Sequence, residues 1–145
     1  MALEAKFNIL LIDDYKPARL RTKKLLEDTG FLVFPTPNGK KAIQTILNKK
    51  NYEIVVMDVG EAPFGNHPYG LIFKIRRMMP ETLVIGQTAW RDLSVYRKDA
   101  EEYFDGLYSK FQDNILGTRI LKTLEKKSKS SIYLAQKVVS PYLYH

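Results

Sequence analysis

Ile54-Val55-Val56-Met57-Asp58-Val59-Gly60 is an apolar run that meets an acid and then a glycine. That pattern predicts a buried strand, from about Glu53 to Met57, ending at a polar loop. Asp58 then sits at the strand's carboxyl end. In open α/β sheets ligands bind outside that edge, so a carboxylate there is a candidate site residue rather than ordinary surface.

Working outward, the same pattern recurs. Phe7 to Ile12 reads as a first buried strand ending in Asp13-Asp14. From Pro17, the residues Ala18, Thr22, Leu25, Leu26 and Thr29 share one side at helical spacing, and Gly30 is a good terminator. Phe31 to Phe34 is a second strand, closed by Pro35 and Pro37. Asn38-Gly39 opens a helix with Ala42, Ile43, Ile46 and Leu47 inward. Past Asp58, the Gly- and Pro-rich stretch to Gly70 cannot be regular throughout. Leu71, Ile72, Ile75 and Met79 resume a helical stripe that stops at Pro80. Leu83 to Gln87 is a fourth strand tipped by Thr88, Asp92 to Phe104 a more polar helix, and Gly106 to Ser109 a fifth strand tipped by Lys110. A last helix runs from about Asn114 to Lys127 and presents Ile115, Ile120, Leu121 and Leu124.

Strand and helix alternate five times, which calls for parallel strands joined by right-handed crossovers and covered by helices on both faces. The expected fold is a three-layer α/β sandwich. At 145 residues and 45% hydrophobic content the chain suits one domain with a substantial core. The sequence has no cysteine, no apolar run long enough to span a membrane and no secretory pattern at Met1 to Lys6, so a cytoplasmic location is expected. The net charge of +7 favours anionic partners, yet the cations are scattered over helix faces and no nucleic-acid-binding motif accompanies them. Nucleic acid is therefore not the expected partner.

In a parallel sheet every strand's carboxyl end lies on one edge, which gathers Asp13, Asp14, Asp58, Thr88 and Lys110. Crowded carboxylates hold protons unless a cation relieves them, and a hard ion such as Mg²⁺ suits an all-oxygen site. Asp58 could then attack a phosphoryl group, with Lys110 neutralising its oxygens and Thr88 donating a hydrogen bond to one of them. Taken singly the same residues have plainer roles: Asp13 or Asp14 capping the first helix, Thr88 a capping hydroxyl, Lys110 a solvated lysine. Their joint placement at strand tips favours a site.

In these residues the chain, over about positions 6–127, resembles a response regulator receiver domain of two-component signalling, similar to the chemotaxis regulator. The resemblance implies a flavodoxin-like fold with a five-stranded parallel sheet in the order 2-1-3-4-5 and five helices. It implies that Asp13, Asp14, Asp58 and the backbone carbonyl of Gly60 hold Mg²⁺, and that Asp58 accepts phosphate from a sensor histidine kinase or a histidine phosphotransfer protein. Thr88 would be the switch hydroxyl and Lys110 would bind the phosphoryl group. The domain would be a signalling module rather than an enzyme, switching contacts with a downstream protein target.

The sequence departs from the family at several slots. The loop after the acceptor reads EAPFGNHPYG, its His67 being assigned no role; Phe111 follows Lys110 where proline is usual. Leu107 stands at the aromatic switch position, with Tyr108 beside it on the opposite face. Trp90 lies at a slot flanking the phosphoryl group and either covers it or packs over the loop. Residues 128–145 form a tail with no effector domain, packed on the domain or on a second subunit, as in a homodimer, or left mobile. The basic residues Arg19, Lys23 and Lys24 could steer an acidic partner. The alternative is a degenerate receiver serving as a phosphorylation-independent scaffold or dimerisation module. A phosphohydrolase of the haloacid dehalogenase type would want two acids two residues apart, which adjacent Asp13-Asp14 does not supply.

Overall fold

Successive strand side chains leave opposite faces of a single sheet and divide the core into two clusters, one on each face. The computed structural model describes residues 7–48, 51–59, 69–89 and 102–127. Five strands, β1 (Asn8–Ile12), β2 (Leu32–Thr36), β3 (Ile54–Asp58), β4 (Leu83–Thr88) and β5 (Gly106–Ser109), pair in parallel in the order β2-β1-β3-β4-β5. Among the described residues the main helices are α1 (Lys16–Thr29), α2 (Gly39–Leu47), α3 (Tyr69–Met78) and α4, residues 116–127. This is the expected doubly covered sandwich.

On one face Leu10, Ile12, Val55, Met57, Val84 and Leu107 pack with Ala42 and Ile46 of α2 and Ile72 and Ile75 of α3. On the other, Ile9, Leu11, Ile54, Val56, Leu83 and Ile85 pack with Leu26 of α1 and Leu116 and Ile120 of α4. Each such side chain taken fully from water contributes about 1.5–3 kcal/mol of transfer free energy, so β1 and β3, buried on both faces, anchor the fold. Tyr108 packs against the second cluster, opposite Leu107, as strand alternation requires.

The helix ends follow the local chemistry. Pro17 lies in the first turn of α1, and Gly30 closes that helix in the left-handed region, φ 114°, with its N–H donating to the Glu27 carbonyl at 3.0 Å. The Asn38 side chain caps α2 by accepting from the Lys41 N–H at 2.9 Å.

Three expectations change. Pro35 does not close β2 but lies within it, opposite Leu11, because β2 is an edge strand whose missing N–H costs no ladder bond on its open side. Leu47, expected inward, is 64% exposed at the last turn of α2, past the reach of the core. A 3-10 turn over Lys110–Ile115 precedes α4, so Asn114 and Ile115 belong to that turn. Of the expected helix Asp92 to Phe104 only residues 102–104 are described, and the tail 128–145 lies outside the described residues.

Candidate functional site

β1 and β3 end side by side, Ile12 opposite Met57, and this register brings the acids that follow each strand together. Oxygens of Asp13, Asp14 and Asp58 lie within 4.8 Å of one another. Asp13 is buried, at 1% exposure, Asp58 is half-buried and Asp14 exposed. A cavity of about 270 Å³ opens above them, lined also by Asn38, Gly39, Val59 and Leu71.

The backbone around the acids is held by hydrogen bonds within the turn and across the sheet. The Asp13 N–H donates to the Thr36 carbonyl at 3.1 Å, its Oδ1 accepts from the Tyr15 N–H at 3.0 Å, and its carbonyl accepts from Arg19 Nη1 at 2.8 Å. Asp13 thus binds the turn before α1, while Tyr15 occupies the N-cap with no side-chain cap. Beyond Asp58 the Val59 N–H donates to the Gln87 carbonyl at 2.9 Å, which prolongs the β3–β4 ladder and fixes the backbone that carries the acid.

Lys110 reaches back from the end of β5. Its Nζ lies 3.1 Å from Asp13 Oδ2 and 3.3 Å from Asp58 Oδ1. Burial works against the ammonium, but the Asp58 and Asp13 carboxylates outweigh it and hold the Lys110 pKa above the ordinary lysine value. Thr88 ends β4 one residue past the partner of Asp58 and is fully buried; by alternation its side chain lies on the opposite face from Gln87. Gly60, His67 and Trp90 lie outside the described residues, as does the Phe111 side chain.

Among the described residues three carboxylates cluster about one lysine, which puts an excess of negative charge on hard oxygen donors. That donor set fits Mg²⁺, with Asp13, Asp14 and Asp58 as the side chains that would hold it. Sequence reasoning did not anticipate Arg19 at the Asp13 carbonyl, since a contact made through a turn leaves no periodic signature. With Arg19 so engaged and Lys23 paired with Glu27 at 2.7 Å, two of the three cations assigned to partner steering have partners within the chain.

No protein-family model and no curated protein sequence matches the chain. Solved structures do. It is similar to a CheY-like response regulator receiver domain protein from Methanospirillum hungatei JF-1, with TM-score 0.70 at 20% identity over 87% of this chain and 99% of that one. The fold is that of a response regulator receiver domain. The receiver likeness extends to the Thermotoga maritima response regulator TrrA in complex with Mg²⁺-BeF, at TM-score 0.66 and 25% identity, covering 81% of this chain and 98% of that one. It extends also to the BeF₃-activated DrrB receiver domain, at TM-score 0.66 and 26% identity, covering 83% and 99%. On the receiver fold described here, the acid cluster and Lys110 stand at the carboxyl edge of the sheet.

Proposed function

We propose that this chain is a response regulator receiver that accepts a phosphoryl group on Asp58 from a histidine kinase or a histidine phosphotransfer protein in the cytoplasm. The observation that carries the reading is the convergence of Asp13, Asp14 and Asp58 within 4.8 Å, with Lys110 at 3.1 and 3.3 Å from two of them. Asp58 Oδ attacks phosphorus, the P–N bond of a phosphohistidine breaks, and the imidazole leaves with the electron pair and takes up a proton. Mg²⁺, when bound, would supply charge neutralisation for the phosphoryl oxygens. Asp13, Asp14 and Asp58 would hold the ion, and Arg19 and the Tyr15 N–H hold Asp13. Lys110, kept charged by its carboxylate neighbours, is placed to move from them onto a phosphoryl oxygen. Thr88 is assigned the role of switch hydroxyl and Trp90 that of a residue flanking the phosphoryl group, and the Gly60 carbonyl would serve as a further metal ligand.

The product biases an equilibrium between two surface states that a protein target reads. Signalling by protein contact, rather than turnover of a small substrate, is the role this assigns. Mg²⁺ with a small-molecule phosphodonor should add one phosphoryl group to the intact protein by mass spectrometry, and Asp58→Asn should abolish the addition. Wild type that remains unmodified, with no response to Mg²⁺ and beryllofluoride, would give precedence to a phosphorylation-independent scaffold.

A further inference from the structure

Gln87 is out of keeping with the strand that carries it. Leu83, Val84 and Ile85 bury apolar side chains, whereas Gln87, 1% exposed, buries an amide whose Oε1 and Nε2 meet no hydrogen-bond partner among the described residues. An amide brings two donor hydrogens and an acceptor oxygen that need partners. Burying them unpaired opposes folding, and a leucine in the same space would carry no such cost. Orphaned polar groups of this kind are rare enough in folded proteins to need a physical reason.

The register supplies one. Gln87 is paired with Asp58 on β3 and with Tyr108 on β5. By alternation from Val56 and Ile85, the side chains of Asp58 and Gln87 leave the sheet on the same face, the one Tyr108 packs on, and the Lys110 Nζ lies 3.3 Å from Asp58 Oδ1. Adjacent strands stand about 4.8 Å apart, a distance that a glutamine arm spans. The amide therefore sits between the strand that carries the candidate acceptor and the strand that leads to its cation.

We propose that Gln87 is a positioning residue for Asp58: in the loaded site its Nε2–H donates to the Asp58 carboxyl group while its Oε1 accepts from the Lys110 ammonium. This rests on Asp58 being the phosphoacceptor. A neutral amide suits the place, since it satisfies an acid and an ammonium together without adding charge to a cluster of three carboxylates. Holding one Asp58 oxygen leaves the other aimed at the incoming phosphorus.

The test follows the Gln87 side-chain amide of the full chain in ¹⁵N–¹H spectra, assigned through its own backbone, while Mg²⁺ and then beryllofluoride are added. Loading should shift this pair and slow its hydrogen exchange in wild type but not in Asp58→Asn. In parallel, Gln87→Met and Gln87→Leu should take phosphate from a small-molecule donor about tenfold more slowly, with urea midpoints equal to or above wild type. Backbone shifts at Asp58 and Lys110 with a static Gln87 pair, or unchanged rates in both variants, would overturn the role of Gln87 and leave the acceptor intact. Silence at backbone and side chain alike, without phosphoryl uptake, would remove both.

Discussion

Lys110 bridges two carboxylates that would otherwise repel each other across the ends of β1 and β3, and Asp13, the nearer, is buried. Lys110→Met leaves that charge uncompensated and should lower the unfolding free energy by about 2 kcal/mol without Mg²⁺. Added Mg²⁺ should stabilise the variant more than wild type, because the repulsion it relieves is larger there. Urea titrations with and without Mg²⁺ check this; equal responses would argue against these carboxylates as ligands. Asp13, Asp14, Asp58 and Lys110 are legible in the sequence because each stands where an apolar run stops. Gln87 is not, since a polar residue next to a strand tip reads as the start of a loop and only the three-dimensional register shows it buried beside Asp58.

Between elements, Gly117 sets how closely α4 approaches α1. A Cβ at that position would stand 2.9 Å from Thr29 Cβ. Overpacking of this kind costs about 1–3 kcal/mol, more than the gain of about 1 kcal/mol that alanine brings to a helix. Gly117→Ala should therefore be destabilising in chemical denaturation, and Thr29→Ala in the same chain should recover part of the loss. The strands are legible because β1, β3 and β4 are apolar on both faces, a pattern that needs no tertiary information. The limits of β2 and the exposure of Leu47 are not, because each depends on where the sheet and the core end. The 3-10 turn after β5 is set by the return of Lys110 toward the acids, and that return is tertiary.

For the molecule as a whole, Tyr52 belongs to the core face that α2 and α3 cover, its ring edge-on to Phe34 at 5.5 Å and its hydroxyl buried without a partner among the described residues. Burial raises its pKa above 10.0. The tyrosine of the unfolded chain therefore ionises first, and this contribution to stability is lost as pH rises past 10.0 toward the folded value. Tyr52→Phe should be more stable by about 1 kcal/mol near neutrality and should lose less stability than wild type from about pH 9 to 11; thermal melts across that range test both. The edge strand β2 has a bearing of another kind. Open sheet edges recruit passing strands and so seed fibres. Pro35 is the fourth of the five residues of β2, without an N–H and exposed. A second chain aligned there would find the ladder broken at that residue, so this edge resists stacking into a continuous sheet even at high concentration.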